Sequence, residues 1–233
     1  MPKATLRIDS RQSLLAAGLL LLLAELVGWP SQAQETPKPS KWEPSIQKFE
    51  AADKTNPPPK NAILFIGSSS IVKWKTLAED FPEHQVINRG FGGSQLADSV
   101  AFVDRIVLPY QPRMVLLYAG DNDIASKKTP EQVLADFKAF VLDIQGRQPA
   151  TRIAFLAIKP SLKRWALVDQ IKEANRLVAE FCRTHERLDY IDVFTPMLGE
   201  DGQPPADLFV QDGLHLSAKG YALWVSIVRP YLR

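Results

Sequence analysis

Four short stretches of this 233-residue chain combine side chains that can move a proton or hold a developing charge. In Gly67-Ser68-Ser69-Ser70, a serine follows an apolar run and opens a helical stretch. A serine at a strand-to-helix turn is exposed at the strand's carboxyl end, and its backbone N–H is one of the free donors of a helix start. Such a turn can serve as a nucleophile elbow, as a phosphate cradle, or as an ordinary helix cap. A phosphate loop closes on Lys before its Ser, and that Lys is missing here. The second stretch, Asn88-Arg89-Gly90-Phe91-Gly92-Gly93-Ser94, also follows an apolar run. Its glycines allow the backbone to approach a ligand closely, or simply to turn tightly. The G-x-G-x-x-G spacing of a dinucleotide turn is absent.

The third stretch is Gly120-Asp121-Asn122-Asp123. Asn122 can present its amide N–H₂ as a donor, and the two carboxylates alone make a thin metal site. An Asx-type turn is the plainer use of these residues. In the fourth stretch, Asp212 precedes His215 by three residues. A carboxylate at that spacing on a tight loop can hold imidazole Nδ1, fix the tautomer and stabilise the imidazolium. The chain has three histidines. His84 precedes the second apolar run and His185 closes a helical stretch, which leaves His215 for proton transfer; taken alone, it is also compatible with a satisfied loop histidine.

What must position these residues is read from hydrophobic patterning. Apolar runs at 62–66, 85–88, 114–118, 152–158 and 188–193 are continuous, as in parallel strands covered on both faces. Helical segments are expected at 70–77, 96–106, 130–145, 165–185 and 218–231, with Thr129 as N-cap and Pro130 in the first turn of the third. This alternation predicts one three-layer α/β/α sandwich around a doubly wound, five-stranded parallel sheet. Ligands bind beyond the carboxyl ends of such strands. The same rule brings the four stretches to one edge.

The ends and the composition bound the rest. Lys3, Arg7 and Arg11, an apolar stretch over 14–27 and Ser31-Gln32-Ala33 read as a secretory signal over residues 1–33, although an uncleaved anchor uses similar residues. Export to the periplasm or beyond is expected. Residues 34–60 are Pro-rich and read as a linker, with one short helix docking by Trp42, Ile46 and Phe49; the domain proper is expected over 61–233. A net charge of +2 with no clustered basic run suggests neither nucleic acid nor an anionic membrane surface as a partner. The single cysteine, Cys182, sits in an apolar helical stretch and reads as a small buried hydrophobe. Oligomeric state is not legible.

At these residues the sequence resembles the SGNH/GDSL hydrolase superfamily, from residue 62 to the C-terminus. Ile66-Gly67-Ser68-Ser69-Ser70-Ile71 is similar to the GDS block, which implies that Ser69 is the nucleophile. The N-x-G-x-G-G pattern over 88–93 implies Gly93 as an oxyanion donor, the G-x-N-D block implies Asn122 as another, and the D-x-x-H block matches Asp212 and His215. Ser68 stands where the name-giving block has Asp, so altered hydrogen bonding in that loop is expected. The branch resembled is that of the platelet-activating-factor acetylhydrolase-like esterases. The resemblance implies a flavodoxin-like sheet and a serine esterase for small acyl esters, without metal or cofactor. A glycan-binding relative without turnover and an O-acyltransferase are the alternatives. Lys159, Arg164 and Trp165, after the fourth strand, are expected to reach over the cleft toward substrate, with an O-acetylated carbohydrate as the candidate.

Overall fold

The structure is a computed structural model that describes residues 40–232, so the signal segment and the start of the linker lie outside the described residues. Five parallel strands form the centre: β1 (Ile63–Gly67), β2 (Val86–Gly90), β3 (Met114–Tyr118), β4 (Arg152–Leu156) and β5 (Leu188–Ile191), in the order β2-β1-β3-β4-β5. That is the doubly wound, flavodoxin-like arrangement expected. In β1 and β3 every residue is buried, because helices cover both faces. The chain winds outward from β1 to β2 and then crosses back to β3, leaving a crevice at their carboxyl ends.

Nine α-helices are described: α1 (Glu43–Thr55), α2 (Ser69–Val72), α3 (Leu77–Asp80), α4 (Leu96–Ala101), α5 (Val103–Ile106), α6 (Asp121–Ala125), α7 (Pro130–Gln145), α8 (Val168–Arg183) and α9 (Ala218–Val228). Phe65 of β1 packs edge-on against Trp74, and Tyr118 of β3 meets Trp224 of α9 at a tilt, which closes one face. On the other face Phe155 of β4 meets Phe137 of α7. The start of α7 is set by a capping box: Thr129 Oγ1 accepts the Gln132 N–H, and Gln132 Oε1 accepts the Thr129 N–H.

Four helices are shorter than their sequence patterns suggest; the last, expected over 218–231, gives way to a 3-10 turn after Val228. The stretch 70–77 breaks after Val72 so that Trp74 can bury, its indole N–H donating to Asp80 at 2.6 Å. The stretch 96–106 breaks at Phe102, which turns its ring onto Phe91. The stretch 165–185 opens with a 3-10 turn (Trp165–Leu167), and its α-helical part ends at Arg183.

Within the stretch read as a linker with a docking helix, α1 is thirteen residues long and belongs to the same compact unit as the sheet. Ile46 is fully buried, with Trp42 and Phe49 packed beside it. Polar contacts add to this seam. Arg105 bridges Glu43 and Glu50, while Asp53 accepts hydrogen bonds from Arg89 and Tyr110. Among the described residues no helix is long and apolar enough to cross a membrane.

Candidate active site

Strand β1 ends at Gly67, where the chain must turn sharply while touching β3. The residue has φ +139°, and a Cβ there would lie 1.9 Å from the Tyr118 carbonyl oxygen, so no other residue fits. Ser68 N–H donates to that carbonyl at 3.0 Å, and Ser69 becomes the first residue of α2. As the first residue of a helix, its N–H has no intrahelical acceptor. Ser68, at the position where the family block has Asp, is fully buried with no hydrogen-bond partner for its Oγ among the described residues, and the loop is held instead through main-chain carbonyls: Ser70 accepts the Tyr221 hydroxyl at 2.8 Å and Ile71 accepts Asn88 Nδ2 at 2.7 Å.

His215 Nε2 lies 3.0 Å from Ser69 Oγ, across 146 positions of sequence. On its other side, Nδ1 meets Asp212 Oδ2 at 2.5 Å. The second carboxylate oxygen accepts the backbone N–H groups of Leu214 and His215, both at 2.9 Å. Hydrogen bonding from the imidazole, reinforced by those N–H groups, holds the Asp212 carboxyl well below the usual carboxylate range. The loop is anchored at three points: by the Phe209–Leu216 bridge, by Val210 N–H on the His215 carbonyl, and by Lys163 N–H on the Gly213 carbonyl at 3.1 Å.

The glycine turn after β2 lies against the serine. Phe91 N–H donates to the Gly67 carbonyl at 2.9 Å, and a Cβ at Gly92 would stand 4.0 Å from Ser69 Cβ. Gly93 adopts φ +77°, and a Cβ there would press on Trp42 at 3.3 Å. Trp42 was read from the sequence only as part of a docking stripe. Its position beside Gly93 depends on how α1 docks, and no local spacing signals it.

Asn122 sits in the first turn of α6. Its Nδ2 donates to the Ser94 carbonyl at 2.9 Å, and its Oδ1 accepts from Arg164 Nη2 at 2.9 Å. The flanking carboxylates are held by cations of the chain. Asp121 pairs with Arg164 Nη1 at 2.9 Å; Asp123 pairs with Lys128 at 3.1 Å and accepts the Leu96 N–H. Burial raises the Asp123 carboxyl, against the pull of Lys128. Among the described residues no group of three or more His, Cys, Asp or Glu side chains gathers as a metal site.

Two of the three residues expected to reach over the cleft do not do so. Lys159 is 2 % exposed, with its ammonium 5.9 Å from the Tyr118 ring centre, and burial pushes its pKa down. The cause is upstream: Asn175 of α8 grips both the N–H and the C=O of Ile158 and turns the next side chain inward. Arg164 is committed to Asp121 and Asn122 rather than to open solvent. Trp165 is half-buried at the start of its 3-10 turn.

A serine hydroxyl linked to an imidazole and a carboxylate, at the carboxyl edge of a parallel sheet, is the arrangement that serine hydrolases use. Comparison with known proteins narrows the class. The chain belongs to the GDSL-like lipase/acylhydrolase family, whose model matches residues 67–223, and it is a carboxylic ester hydrolase. It is 28 % identical over 204 residues to platelet-activating factor acetylhydrolase IB subunit alpha1 of Bos taurus, covering 82 % of each chain. Among solved structures, a protein of Streptococcus pneumonia named for platelet activating factor superposes with TM-score 0.74 at 24 % identity, covering 82 % of this chain and 92 % of that one. A variant of Axe2, an acetyl-xylooligosaccharide esterase from Geobacillus Stearmophilus, gives TM-score 0.59 at 18 % identity, covering 73 % and 94 %.

Proposed function

We propose that this protein cleaves small acyl esters, acetyl esters foremost, with Ser69 as nucleophile, His215 as general base and Asp212 as the carboxylate that orients it. The observation that carries this reading is the unbroken line from Asp212 through His215 to Ser69 Oγ, with contacts of 2.5 and 3.0 Å. Ser69 Oγ attacks the ester carbonyl as its proton passes to Nε2. The imidazolium that forms faces a carboxylate kept ionised by its own hydrogen bonds. Collapse of the tetrahedral adduct returns the proton to the leaving alcohol, and water repeats the sequence on the acyl-enzyme. The oxyanion is held by the N–H groups of Ser69 and Gly93 and the amide of Asn122.

The acetyl preference draws on what two relatives share. The bovine relative is named an acetylhydrolase and Axe2 an acetyl esterase, while their alcohols differ. A carbohydrate is the alcohol we favour, in keeping with action outside the cytoplasm after removal of residues 1–33.

Ser69→Ala tests the nucleophile. The variant should lose covalent labelling by an organophosphate and at least about three orders of magnitude in kcat; continued labelling of the variant would refute the assignment. A series of p-nitrophenyl acyl esters should fall off steeply beyond acetate, and acetylated xylan should release acetate. Analysis of products with a glycan acceptor present separates hydrolysis from acyl transfer.

A further inference from the structure

We infer that Arg164 is a positioning residue for acyl transfer: its guanidinium fixes which way the Asn122 amide faces, and Asp121 fixes the guanidinium. The inference rests on the reading of Asn122 as an oxyanion donor.

An asparagine side chain can rotate by half a turn and exchange its oxygen and nitrogen at little steric cost. A donor that must meet an oxyanion therefore needs something to forbid the exchange. Here both ends are specified. Nδ2 gives one hydrogen to the Ser94 carbonyl at 2.9 Å, and Oδ1 receives Arg164 Nη2 at 2.9 Å. The exchanged rotamer would set oxygen against oxygen at Ser94 and N–H₂ against a cation at Arg164. The second hydrogen on Nδ2 is thereby left for a ligand. A cation on the amide oxygen also draws electron density from the nitrogen and sharpens its donor character.

Arg164 suits this role because it is not free to wander. Its Nη1 lies 2.9 Å from Asp121 Oδ2, and the two side chains are only 18 % and 6 % exposed. Asp121 immediately precedes Asn122, so the guanidinium clamps two consecutive residues at the start of α6. One planar fork reaches both, which the single ammonium of a lysine does not. Ser94 supplies the other anchor from the glycine turn, tying the amide to the segment that carries Gly93.

The test is a double-mutant cycle read in kcat with p-nitrophenyl acetate, with organophosphate titration of Ser69 to count folded sites. Arg164→Lys keeps a cation for Asp121 and should lower kcat about 10- to 100-fold, as expected for a misaligned group, while KM stays within about twofold. Asn122→Ala should lower kcat about 10²- to 10³-fold. Combining them should cost no more than Asn122→Ala alone, because Arg164 acts only through that amide. Asp121→Asn should repeat the pattern, and it carries the cycle if Arg164→Lys yields no titratable serine. Losses that multiply in the double variant would overturn the inference, as would a raised KM at unchanged kcat. Wild-type kcat in Asn122→Ala would instead bring down the oxyanion reading itself, with serine labelling intact.

Discussion

Asp212 spends one oxygen on the imidazole and the other on two backbone N–H groups, so its charge is committed on every side. The stability that its depressed carboxyl pKa contributes is present above the ordinary carboxylate pKa and is lost as pH falls through the lower folded value. Asp212→Asn should leave the fold intact and reduce kcat on the order of 10³–10⁴-fold, since an amide no longer favours the imidazolium.

At the scale of elements, α1 matters more than its composition suggests. It precedes the residues matched by the family model, yet it buries Ile46 completely and sets Trp42 against Gly93. Ile46→Ala should destabilise the whole domain by about 2–5 kcal/mol. Cys182 supplies the readout. Buried in α8, with its thiol pushed up to about 12 by burial, it reacts with a thiol reagent only when the structure opens. Faster labelling of Cys182 in Ile46→Ala is the expected result, and unchanged labelling would mean that α1 is an independent appendage. The elements that patterning found most cleanly are those buried on both faces: β3 spans 114–118, as its apolar run indicates. Helix breaks at Trp74 and Phe102 were not legible, because each exists to bury a ring against a distant partner. For the candidate site, Ser69 and the Asp212–His215 pair, which the structure brings into contact, each lie in a local motif that could be read directly. The burial of Lys159 and the pairing of Arg164 could not, since a charged residue past a strand end looks solvent-bound until Asn175 is known to hold the Ile158 backbone and Asp121 to pair with Arg164.

For the molecule as a whole, the described residues form one unit around one sheet, and the expected export segment precedes that unit. If residues 1–33 are a cleaved signal, the protein recovered from the cell envelope or medium should begin at Gln34 by N-terminal sequencing. Retention of Met1 on the recovered protein would contradict this. The anchored turn that carries both Asp212 and His215 has a consequence for how such a protein can be altered. Because the proposed base and the carboxylate that orients it lie on a single stretch of chain, no shift between separate parts of the fold can pull them apart. Remodelling of neighbouring loops can change their approach to the serine only as a pair, which leaves substrate range free to drift while the imidazole–carboxylate contact is kept.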